Sequence, residues 1–126
     1  MITQLASASI WSEDLNNLLP FYRDTLGLKV AMESPEFVVL GTDRPDAPGL
    51  GLGTHSEVHG KNTDPARHMV ALVTDDLTAE WKRLKDSGVE FIQDPTDYDD
   101  GMSIATLKDP EGNLVQLFQY RGQSGS

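Results

Sequence analysis

The chain has 126 residues, 38% of them hydrophobic, with 20 acidic against 10 basic side chains and a formal net charge of −10. That length suits one domain with a real core, and the acid excess argues against phosphate-backbone binding, which needs clusters of Lys and Arg, while favouring cationic ligands. The absence of cysteine removes disulfide scaffolds and thiolate metal sites and fits a reducing cytoplasm; with no basic signal-peptide region and no apolar run of ~20 residues, neither nucleic acid nor membrane is an expected partner.

The elements follow in chain order. QLASASIW (4–11) reads as a strand with Ser7, Ser9 and Trp11 on one face. Residues 12–28 read as a helix. Ser12 or Asp14 can cap it, and Leu15, Leu18, Leu19, Tyr22 and Leu26 make its apolar stripe. Gly27 stops it, and Pro20 predicts a late start or a kink. Strands LKVAME, EFVVLG and GLGLGT follow. Parity alone leaves open whether Phe37 and Val39 share the face of Trp11. GLGLGT lacks the lysine and helix start of a phosphate loop, so its alternating glycines fit close packing in a strand. THSEVHGKNTDPA (54–66) is polar and reads as a linker. Its His55 and His59 are four apart, but the surrounding residues make a solvated loop.

The second half repeats the plan. HMVALVT is a strand, and residues 74–89 form a helix capped by Thr74 or Asp75, striped by Leu77, Trp81 and Leu84 and stopped by Gly88. VEFIQ, an acidic loop DPTDYDDG (94–101), MSIATLK and NLVQLFQY complete it. The order is β-α-β-β-β twice, and Asp14-Leu15 recurs as Asp76-Leu77. The halves, about 1–56 and 67–121, are joined by a linker at 57–66 and followed by a polar tail, 122–126, expected to be disordered. They are expected to share one core as a single domain.

The stretch DPEGNLVQLFQ (109–119) is a turn followed by a strand. Leu114, Gln116, Phe118 and Tyr120 share one face, and Val115, Leu117 and Gln119 the other. A glutamine among apolar residues needs hydrogen-bond partners. Gln116 is therefore a structural amide, a pocket wall or a metal ligand. Phe118 and Tyr120 extend its face. Trp11 offers a flat wall to a ring-bearing ligand, with the hydroxyls of Ser7 and Ser9 beside it.

DLNNLLPFYRDTLGL after the first strand, the doubled βαβββ order and the closing DPEGNLVQLF together resemble the vicinal oxygen chelate superfamily of glyoxalases, bleomycin-resistance proteins and extradiol dioxygenases. The resemblance implies an α+β fold in which two βαβββ modules form an open, cup-like mixed β-sheet. It implies dimers, and in the metal enzymes a divalent cation held from the first and last strands of each module. Carried onto this chain, those positions are Ser7, Leu50 or Leu52, His68 and Gln116, with His68, Val70 and Leu72 expected to line the cup.

Catalytic metal sites generally need three protein ligands. His68 and Gln116 fall short, so no cofactor is expected, and a bound divalent metal would have only those two. The expected function is metal-free binding of a small organic molecule, cationic or aromatic, in a cup at a homodimer interface. Its expected lining is His68, Gln116, Ser7, Trp11, Phe118 and Tyr120. One alternative is a glyoxalase-like lyase or isomerase, or a dioxygenase relative, with His68 as the catalytic base. Another is a non-catalytic dimeric subunit of an assembly.

Overall fold

The computed structural model describes residues 1–43 and 47–121. The tail 122–126, expected to be disordered, lies outside the described residues. The chain divides into two compact units, Met1–Lys61 and Asn62–Ser126, with the boundary inside the expected linker.

In the first unit β1 (Ser7–Ser12), β2 (Val30–Glu33), β3 (Phe37–Leu40) and β4 (Gly49–Thr54) form an open sheet in the order β1-β4-β3-β2. β1 runs parallel to β4 and the other pairs are antiparallel. One face is sealed: Val38, Leu40, Leu50 and Leu52 are buried together with Leu15, Leu18, Leu19 and Tyr22 of the helical segment.

That segment is not the continuous helix its apolar spacing predicts. It is a 3₁₀ turn at Leu15–Asn17 followed by a π-helical turn at Phe21–Thr25. Pro20 has no N–H to donate, so the first turn cannot run through it, and winding restarts there. The restart is wide, with the Leu26 N–H reaching the Phe21 carbonyl at 2.8 Å. Ser12 and Asp14 both act at the entry. The Ser12 hydroxyl accepts from the Asp14 N–H, and the Asp14 carboxylate from the Asn16 N–H.

The second unit holds β5 (Val70–Val73), β6 (Phe91–Asp97), β7 (Met102–Lys108) and β8 (Leu114–Tyr120), ordered β5-β8-β7-β6, with α1 (Leu77–Asp86) between the first two. The α1 cap is Asp76, one residue beyond the expected Asp75 and two beyond Thr74. Its carboxylate accepts from the Ala79 N–H at 3.1 Å. Leu77 and Leu84 are buried, as are Ala105, Leu107, Val115 and Leu117 of the sheet. Gln119 shares the face of Val115 and Leu117. It ties β8 to the helix start, accepting from the Leu77 N–H at 2.8 Å and donating to the Asp75 carbonyl at 3.2 Å. Among the described residues no helix is long and apolar enough to cross a membrane.

β6 extends further than expected, through Asp97, so the acidic loop shrinks to 98–101. The ladder shifts register twice along this edge strand, and Pro95 sits in the second shift, where its missing N–H costs no ladder bond. Two acids of the run have side-chain partners. Asp94 accepts from the Trp81 indole at 3.1 Å, and Asp97 from the Ser103 hydroxyl at 2.6 Å. The DPEGN turn is held by the buried Asp109 carboxylate, which accepts from the backbone N–H groups of Glu111 and Asn113 and from the Asn113 side chain.

The Gln119 tie generates a stability prediction. Gln119→Ala strands the Leu77 N–H at the helix start and is expected to cost about 1–2 kcal/mol in urea unfolding. An unchanged midpoint would show that the tie contributes nothing.

Candidate functional site

The open face of the first sheet follows from strand alternation. With Leu50 and Leu52 committed to the sealed face, Gly49, Gly51 and Gly53 lie on the other, in register with Ser7, Ser9 and Trp11 of β1. On the other side of β4, Val39 and Phe37 stand opposite Gly51 and Gly53. This answers the parity question, because Phe37 stacks on Trp11 with ring centroids 5.6 Å apart and planes 29° apart.

The rings lie across the glycine strand. A Cβ on Gly51 would sit 2.7 Å from both Phe37 Cζ and Ser9 Oγ. On Gly53 it would sit 2.8 Å from Trp11 Cε3 and 2.9 Å from Phe37 Cδ1. His55 meets Trp11 edge-on at 5.7 Å. The Trp11 side of the stack remains 43% exposed. Sequence reasoning missed His55 as a member of this wall. The signal was there, since 55 continues the alternation 49, 51, 53.

The open face of the second sheet carries Gln116, Phe118 and Tyr120 on β8. Ala71 and Val73 of β5 and Thr106, Ile104 and Met102 of β7 stand opposite them. Val73 is 72% exposed. Gln116 is half-buried, and its carboxamide has no hydrogen-bond partner among the described residues. Gln119, three residues on and facing the helix, has both ends of its amide engaged. The structural amide of this strand is Gln119.

Of the six expected site residues, Ser7 and Trp11 share one open face, and Gln116, Phe118 and Tyr120 share the other. His68 is exposed and lies in extended backbone before β5. Its expected companions Val70 and Leu72 pair with Val115 and Leu117, on the helix side of the sheet. This corrects the expectation that they line the face of Gln116. The β5 positions that do are Ala71 and Val73, and the alternation reaches Met69 rather than His68. The expected module-end positions also change. Leu50 and Leu52 are buried, and the open-face residues of β4 are glycines with no side chain to donate.

Charge gathers elsewhere. A groove of about 510 Å³ beside the start of α1 is lined by Asp75, Asp76 and Glu80 among others. The Arg83 guanidinium, bonded to Glu80 at 2.6 Å, holds that carboxyl below its usual range. His55 Nδ1 accepts from the Glu57 N–H at 3.1 Å, and His59 lies 4.0 Å from Glu13.

The family profile described as the Glyoxalase/Bleomycin resistance protein/Dioxygenase superfamily matches residues 4–117. The chain belongs to this superfamily. Among curated relatives, the uncharacterized protein YwbC of Bacillus subtilis is 27% identical over 130 residues, covering 94% of this chain and 99% of its own. Among solved structures, a superfamily member from Sphaerobacter thermophilus is 26% identical, with a TM-score of 0.71 and coverage of 94% of this chain and 98% of its own. A protein of unknown function from Agrobacterium tumefaciens superposes with a TM-score of 0.75 at 18% identity, covering 94% of this chain and 95% of its own, which speaks for the fold alone.

The residues at the superfamily's metal positions do not fit a divalent cation. They offer a neutral hydroxyl at Ser7, a neutral carboxamide at Gln116, bare glycine on β4 and a single imidazole, His68, that lies exposed before β5. Among the described residues no three His, Asp or Glu side chains gather as a metal site.

Two stability measurements follow. Gly53→Ala drives a methyl group into the Trp11–Phe37 stack and is expected to destabilise by about 1–3 kcal/mol, with the loss relieved when Trp11→Ala is added. An additive double variant would place the rings away from the glycine. Gln116→Ala is expected to change stability by less than about 0.5 kcal/mol, in contrast to Gln119→Ala, and a loss as large as that of Gln119 would make Gln116 structural.

Proposed function

We propose that this chain is a metal-free binding protein for a small aromatic molecule, acting as a cytoplasmic homodimer. The observation that carries the reading is the Trp11–Phe37 stack laid over Gly51 and Gly53, with its tryptophan exposed. Glycine in a strand interior weakens the strand. Two glycines beneath two rings make a flat, backbone-supported wall that a planar ligand can extend. Ser9 Oγ, at the edge of that wall, can bond a polar substituent. The net charge of −10 favours a cationic ligand over an anionic one.

Magnitudes support the dimer. Covering about 100 Å² of ring gives about 2.5 kcal/mol. Stacking adds about 0.5–1.5 kcal/mol. One wall alone therefore gives a site of about millimolar affinity. Useful affinity needs the ligand's other side covered, and a second copy of the chain is the simplest source of cover.

The test is titration of a panel of planar aromatic compounds, cationic and neutral, against Trp11 emission in a Trp81→Phe background, with light scattering for oligomeric state. Saturable quenching by at least one class is expected, weakened about tenfold by Trp11→Ala when affinity is read by calorimetry. The reading is overturned if no compound perturbs Trp11. A stoichiometric metal in the purified protein, lost in His68→Ala, would also overturn it and would favour the lyase or isomerase alternative.

A further inference from the structure

The Trp11 wall leaves unused a row of polar side chains that lies wholly within the second unit. Gln116 on β8 stands opposite Thr106 on β7. Thr106 Oγ1 donates to Gln93 Oε1 on β6 at 2.8 Å, and Gln93 Nε2 donates to Tyr98 Oη at 2.8 Å. These two bonds set the polarity of what remains. The Thr106 hydrogen is committed, so its oxygen can only accept. The Tyr98 hydroxyl keeps its hydrogen to give. Gln116 keeps both an N–H donor and a carbonyl acceptor, half-buried and unspent among the described residues. Its amide atoms are not sealed from solvent, so a ligand can reach both the donor and the acceptor. Ala71, Phe118 and Ile104 flank the row with apolar surface.

We infer that this row recognises a neutral group carrying a donor and an acceptor side by side, as in a carboxamide, lactam or imide. Such a group pairs with Gln116 at two points, its carbonyl taking the Nε2 hydrogen and its N–H reaching Oε1, the same two-point pairing by which glutamine reads an adenine edge. A carboxylate offers no donor to Oε1, and an ammonium no acceptor to Nε2. The row itself contains no charge to offset the desolvation of an ion, and Lys108, next on this face of β7, is paired with Glu90 at 3.5 Å. Thr106 and Gln93 act as positioning residues that hold the acceptor and donor directions beside Gln116. The inference goes beyond the proposed function, because it does not need the Trp11 wall.

The experiment uses three probes that share one ring: benzamide, benzoate and benzylamine. They are titrated into ¹⁵N-labelled protein while the side-chain amide signals of Gln116 and Gln93 are followed. Fragments of this size bind at about 1–10 mM when they bind. Benzamide is expected to shift the Gln116 signal saturably, with the two charged probes at least about tenfold weaker. Gln116→Leu should abolish benzamide binding, and Gln116→Glu should transfer the preference to benzylamine. Thr106→Val should weaken binding, and Thr106→Ser should restore it.

The inference is overturned if benzamide leaves the Gln116 signal unmoved across that range, if the three probes bind alike, or if the leucine variant binds benzamide as the parent does. Should the leucine variant fail to fold, the charge preference of the glutamate variant decides. The two readings fail separately. Quenching of Trp11 without a Gln116 shift sinks only this one, and a Gln116 shift that persists with Trp11→Ala and no Trp11 response sinks only the aromatic wall.

Discussion

Each sheet is covered by helix on one side only, and strand residues alternate between sides. That pairing of a one-sided cover with a period of two decides almost everything else about this chain. On β4 it sends Leu50 and Leu52 inward and leaves a column of glycines outside. On β8 it sends Val115, Leu117 and Gln119 toward α1 and leaves Gln116, Phe118 and Tyr120 outside. A slip of one residue in either strand would bury the wrong set, so the apolar cores fix the register and with it the chemistry of the open faces.

Strand-level features were legible because they rest on this period. The eight strands, the twofold βαβββ order and the faces of β1 and β8 all read directly from alternation. The misreadings arose where another constraint entered. The first helix looked continuous because its leucines keep helical spacing, yet Pro20 lacks the N–H that would carry it through. His68 carries the chemistry of a ligand but lies outside β5, and the strand's alternation reaches Met69 instead. The acidic run resembled a solvated loop because Pro95 breaks a strand pattern, but edge strands tolerate proline at a register shift. His55 escaped notice because it was weighed as half of a metal pair rather than as the next residue in a glycine alternation.

The two glutamines of β8 show why composition alone could not settle the site. Both are amides in one strand, three residues apart, and a buried amide is by default structural. The structural duty falls to Gln119, which closes the first turn of α1 from across the sheet. Gln116 is released from it. A chain of the same composition with those faces exchanged would have no unspent amide on its open face.

The same superfamily fold serves metal chemistry when its open faces carry imidazole and carboxylate. Here those positions carry hydroxyl, carboxamide and glycine, and the one imidazole among them, His68, lies before β5 and off its alternation. The substitutions are not equivalent losses. A glycine removes a donor and also lowers the floor of the sheet by a side chain, and Trp11 and Phe37 occupy the space so made. A carboxamide in place of a carboxylate carries no charge that would need a cation when buried, and offers a hydrogen-bond donor beside an acceptor instead. Strand glycines that weaken the sheet and an amide with no structural partner are local departures from what stability alone would select. Such departures concentrate where a surface is kept for binding.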